Sequence, residues 1–228
     1  MTSQPSRPSP SPWSLVGHAG RISGARIDLT HPGRGLRPDD LGDDGILALD
    51  AAAGDRPLAP ADVWTRGGDL TAVYEPADER RLRATVTWRP CPDIDRGWEA
   101  IVSAQTALPT SDPQLAIVAD VAAGEPLWGV LDADGVRWTT SRPDAPTCLL
   151  LSRPVAAVLV VVHPEAEHRL ALEHRGPRSR IACRLFSEPV EKGVLLRARV
   201  LTASLADGTA EADGIVRAFV ASPPVLTT

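Results

Sequence analysis

Apolar and polar positions alternate in short runs along most of this chain. In RLRATVTWRP (81–90), Leu82, Ala84, Val86 and Trp88 alternate with Arg83, Thr85, Thr87 and Arg89. A period of two belongs to a strand with one face buried and the other polar. GWEAIVSAQTAL sets Trp98, Ala100, Val102 and Ala104 against Glu99, Ile101, Ser103 and Gln105. GVLLRARVL sets Val194, Leu196, Ala198 and Val200 against Leu195, Arg197, Arg199 and Leu201. VAAVLVVV (155–162) is apolar throughout, which suits a strand covered on both faces.

Turn signals divide these runs. Asp134-Gly135, between LWGVL and VRWTT, predicts a hairpin with a type I′ turn. Gly67-Gly68-Asp69 predicts a second hairpin or a bulge. HRLALEH, RIACRLFSEP and GIVRAFVA continue the series of strand-length segments, the last closing the fold. The best helix candidate is PEAEHRLALEHRG, with Pro164 at its start and Gly176 as its cap, although RLALEH alternates as well as it spirals. With 22 prolines and 18 glycines, long helices are poorly accommodated. The expected fold is all-β: a large antiparallel β-sandwich with little helix. A Pro/Ser-rich tail over residues 1–14 is expected to be disordered, and residues 15–228 are expected to form a single β-sandwich domain.

Composition narrows the partners. A formal net charge of −5 and a pI near 5.5 give no electrostatic footprint for nucleic acid or an anionic membrane surface. The basic residues are almost all arginine, Lys192 being the one lysine. Cys91, Cys148 and Cys183 form no CxxC pair, so three free thiols, buried as small hydrophobes, are expected. The N-terminal stretch lacks the apolar core of a secretory signal, and VAAVLVVV is too short to cross a bilayer. The expected location is the cytoplasm, with neither nucleic acid nor membrane as partner.

Motifs for nucleophile elbows, zinc proteases and phosphate loops are missing, HPGRG departs from a dinucleotide fingerprint, and DLGDDG and DADG read as turns rather than calcium loops. No cofactor and no metal are expected. His163, His168 and His174 fall in one short stretch beside Glu165 and Glu167, and read as a polar hairpin tip or as a metal or base cluster. Six tryptophans against two phenylalanines and one tyrosine suggest core filling, with a stacking surface for a sugar ring as the second reading. The arginine-bearing strand faces raise the same choice. Arg83, Thr85, Thr87, Arg89, Arg197 and Arg199 are the candidate ligand-binding residues, since each guanidinium presents donors in a fixed fork. Cross-strand pairing with Asp and Glu is the other reading. Glu99 and Glu191 are the acids that would serve any chemistry there.

WTRGGDLTAVYEPADERRLRATVTWRP and RLFSEPVEKGVLLRARV resemble uncharacterised bacterial proteins, planctomycete ones among them, with a galactose-mutarotase-like supersandwich. The resemblance covers about a fifth of the chain and implies a large antiparallel sandwich that binds carbohydrate on a sheet face. Epimerases of that fold use a histidine and a glutamate, and neither falls on a matching motif in this sequence. Two functions follow: a carbohydrate-binding protein, or a structural or protein-interaction module without a ligand.

Overall fold

The computed structural model describes residues 13–51, 56–76, 78–154, 156–164, 168–206 and 208–224. In chain order the strands are β1 (Ser14–Val16), β2 (Ala19–Ile22), β3 (Ala25–Asp28), β4 (Leu36–Pro38), β5 (Gly45–Asp50), β6 (Asp62–Arg66), β7 (Asp69–Tyr74), β8 (Leu82–Pro90), β9 (Gly97–Thr106) and β10 (Thr110–Ser111). They continue with β11 (Leu115–Ala122), β12 (Glu125–Leu131), β13 (Val136–Thr139), β14 (Cys148–Ser152), β15 (Ala157–Val162), β16 (His168–Arg175), β17 (Arg178–Leu185), β18 (Val190–Glu191) and β19 (Leu196–Leu205). Helix α1 (Thr209–Ala221) follows.

Two large sheets and one small ribbon result, and every pairing in them is antiparallel. The eight-stranded sheet runs β1-β2-β3-β4-β5-β11-β17-β16, and the nine-stranded sheet runs β13-β12-β14-β15-β19-β9-β8-β7-β6. β10 and β18 form the ribbon. The protein is therefore the expected large antiparallel β-sandwich. Among the described residues no helix is long and apolar enough to cross a membrane.

The alternation read from the sequence decides which face meets the other sheet. Leu82, Ala84, Val86 and Trp88 of β8, with Ala100, Val102 and Ala104 of β9, enter the main core against Ile27, Leu36, Leu49, Ile117 and Ile181 of the eight-stranded sheet. Trp88 is fully buried, and its indole N–H donates to the carbonyl of Leu47 across the sandwich at 2.9 Å. Leu47 has φ 51, and the β5–β11 register shifts beside it: Ala48 faces Val118 whereas Gly45 faces Asp120. Two residues of β5 thus oppose one of β11, a bulge.

β15 is buried on both faces, as its unbroken apolar run implies. Val158, Val160 and Val162 join the main core. Ala157, Leu159 and Val161 join a second cluster with Leu201, Leu205, Ala212, Val216 and Phe219, where α1 packs on the outer face of the nine-stranded sheet.

Several expectations are corrected. GIVRAFVA is the second half of α1, not a strand: Ala212, Val216 and Phe219 recur at helical spacing and are the buried positions. The HRLALEHR segment is strand β16, so the helix candidate there is not one; residues 165–167 lie outside the described residues. The Asp134-Gly135 hairpin forms, but only Gly135 has positive φ. The Asp132 carboxylate accepts the N–H groups of Asp134 and Gly135, at 3.0 and 3.2 Å, so an Asx turn closes the loop where a type I′ turn was expected. Trp13, assigned from sequence to the tail, is buried in the main core, and its indole donates to Gly68 O at 3.0 Å; β1 begins at Ser14. Residues 1–12 lie outside the described residues.

Candidate functional site

Helix α1 covers only part of the outer face of the nine-stranded sheet. The rest of that face carries the side chains that alternate away from the core in β6, β7 and β8, while Glu99 and Ile101 of β9 and Arg199 and Leu201 of β19 are buried toward the helix side. Strand register aligns them in rows. Trp64, Thr71, Thr87, Ile101 and Arg199 form one; Arg66, Asp69, Arg89, Glu99 and Leu201 form the next. Asp62, Val73, Thr85, Ser103 and Arg197 form a third.

The six candidate residues share this one face. β8, bearing Arg83, Thr85, Thr87 and Arg89, and β19, bearing Arg197 and Arg199, flank β9. With one strand between them, their backbones lie about 10 Å apart. Each arginine engages a neighbour. Arg83 Nε lies 3.3 Å from Glu75, and Arg89 Nη2 donates to Asp69 at 2.7 Å. Arg197 Nε donates to Ser103 Oγ at 3.3 Å. Arg199 Nε donates to Glu99 at 2.6 Å, and both side chains are only 7% exposed. The Thr71 and Thr87 hydroxyls are 2.9 Å apart. A cleft of about 480 Å³ adjoins the Arg83 end, between Glu75, Pro76, Arg83 and Gln105.

Arg199 also faces the helix. Its Nη1 donates to Pro223 O at 2.9 Å, and its guanidinium lies 4.8 Å from the Phe219 ring centroid. Glu99 is thus a buried ion-pair partner. Glu191 lies elsewhere, exposed on β18 in the small ribbon opposite Thr110.

The sequence did not single out Trp64 among the tryptophans, yet it is the one described as exposed, at 42%. Trp13, Trp88, Trp98 and Trp128 are buried, and Trp138 is half-buried against the second cluster. Counting back from the Gly67-Gly68 turn would have placed Trp64 opposite Thr71 on the polar face. Asp69 and Glu75, which balance the arginines, were also missed, because cross-strand partners depend on register.

The histidines do not converge. His163, buried at the end of β15, lies edge-on to Phe219 with Nε2 3.2 Å from Ser222 O. His174 belongs to the other sheet, its Nδ1 3.1 Å from Ser179 Oγ. The side chain of His168, with Glu165 and Glu167, lies outside what is described. Among the described residues no group of His, Cys, Asp and Glu has the arrangement of a metal site.

The chain matches no protein-family model and no curated protein. Among solved structures it is similar to one titled "Putative kojibiose phosphorylase from human microbiome", with a TM-score of 0.38 and 4% identity over 67% of this chain, which spans 20% of that protein's length.

Proposed function

We propose that this protein binds carbohydrate on the uncovered outer face of its nine-stranded sheet. The observation that carries the reading is Trp64, exposed on an edge strand and on the same outer face as the exposed Arg83 and the half-buried Thr85, Thr87 and Arg89. An indole face accepts the C–H face of a sugar ring, and neighbouring polar groups fix the ring's orientation. Because Arg83 and Arg89 are balanced by Glu75 and Asp69, the surface offers alternating donors and acceptors rather than bare positive charge. That pattern suits the vicinal hydroxyls of a neutral saccharide better than an acidic one. The sugar relationship implied by the mutarotase-like resemblance is part of this proposal.

A glycan array followed by calorimetric titration tests it. Saturable binding of a neutral oligosaccharide is expected, and Trp64→Ala should weaken it about tenfold, from loss of one stacking contact. Absence of binding across the array, or unchanged affinity in the variant, overturns it. The same ion pairs favour a second reading, a structural or protein-interaction surface. On that reading no saccharide binds, and Arg83→Ala changes stability by only a few tenths of a kcal/mol.

A further inference from the structure

The opposite sheet carries a second arginine-rich face. Arg169 of β16 and Arg184 of β17 are direct cross-strand partners, both exposed. Like charges in that position repel and destabilise the pair of strands. Neighbouring arginines on this sheet are neutralised: Arg175 by Glu173, Arg178 by Asp120 and Asp44, and Arg180 by Asp50. Arg169 and Arg184 have no ion pair or hydrogen bond among the described residues.

Both line a cleft of about 510 Å³ with Gln114, Ala116, Phe186 and Ser187. Ala116 stands between Asp50 and Arg184 in the strand register, and its small side chain leaves the floor open. Gln114, just before β11, and Phe186, just after β17, stand at the same end of this strand pair and have φ 33 and 61. Side-chain-bearing residues seldom adopt that region, bulky ones in particular, and such backbones gather at ligand sites. The volume is that of a small-molecule site.

We propose that this cleft binds an oxyanion, the carboxylate or phosphate group of a small hydroxylated molecule, held between the guanidinium forks of Arg169 and Arg184. Each fork can give two parallel hydrogen bonds to such a group, and the bound charge removes the repulsion between the arginines. Asp50 and Asp112 also line the cleft. Asp50 is engaged by Arg180, and Asp112 by the backbone N–H and side-chain amide of Gln114. The remaining lone pairs of Asp112 are acceptors for ligand hydroxyls. This site lies on the other sheet from the saccharide face and stands independently of that reading.

Titration of the intact protein at low ionic strength with inorganic phosphate, galacturonate and neutral galactose, read by calorimetry and thermal shift, tests the proposal. Saturable binding of phosphate or galacturonate, with none of galactose in this cleft, is expected. The anion that binds more tightly identifies the source of the oxyanion. Arg169→Ala and Arg184→Ala should each weaken binding about tenfold or more, Arg184→Lys should restore it only in part, and Trp64→Ala should leave it unchanged. Because both arginines are exposed, the variants are expected to melt at or above the parent temperature without ligand. If neither anion saturates, or the double alanine variant binds as the parent does, the site does not exist.

Discussion

The thiols of Cys91 and Cys148 are both pushed up to about 12, chiefly by burial, with the carboxylates of Glu99 and Asp213 respectively adding to the effect. Burial raises the Cys183 thiol as well. A thiolate is the reactive form, so all three should be inert in the folded protein. At pH 8, alkylation of the native protein is expected to run more than ~1000-fold slower than in urea. Prompt labelling of Cys148 or Cys183 would contradict their burial. Cys91, between Pro90 and Pro92, is only half-buried, but the burial of Cys148 and Cys183 was legible in the sequence. So were the inward positions of β8, because alternation alone identifies them. The conformation of Leu47 was not legible: its positive φ follows from the bulge that lets β5 meet β11, a constraint imposed from outside its own segment.

At the scale of elements, α1 is the instructive failure. Gly214 and the apolar run Ile215-Val216 obscure a helical spacing that shows only once Ala212 and Phe219 are seen on one face. The helix is fastened at its C-terminal end by buried charge: Arg199 links Glu99 beneath it to Pro223 just beyond it. Removing one member of a buried pair strands the other without compensation. Glu99→Ala is therefore expected to lose about 3–5 kcal/mol of unfolding free energy, whereas Glu99→Ala combined with Arg199→Met should recover much of it. Urea denaturation monitored by tryptophan fluorescence measures both. Equal stability of the single and double variants would show that the pair is not coupled. Proximity of the two residues was unreadable from sequence, since Arg199 and Glu99 are separated by 100 positions.

For the whole molecule, strand content was legible and strand order was not. Nothing in the local pattern of β5 announces β11 as its neighbour, or places β19 between β15 and β9. Such pairings close long loops before any contact rewards them. Refolding from urea is accordingly expected in milliseconds to seconds rather than microseconds, followed by stopped-flow fluorescence. A microsecond phase carrying the full amplitude would show that the sheets assemble from local hairpins alone. The candidate face was half legible for the same reason. Its arginines lie on two recognisable alternating strands, but Trp64, Asp69 and Glu75 joined them only when register was known.

The seating of β19 beside β9 at the middle of the nine-stranded sheet has a consequence during synthesis. A ribosome adding ~5–20 residues per second needs about 5–20 s to travel from Glu99 to Arg199. The same delay separates the emergence of β9 from the tunnel and the emergence of β19, and until β19 arrives the β9 flank of the β8–β9 hairpin is unpaired and open to other nascent chains. A charge on an edge strand guards against such misassembly, and Glu99 is the charge that β9 itself carries until Arg199 arrives to pair with it.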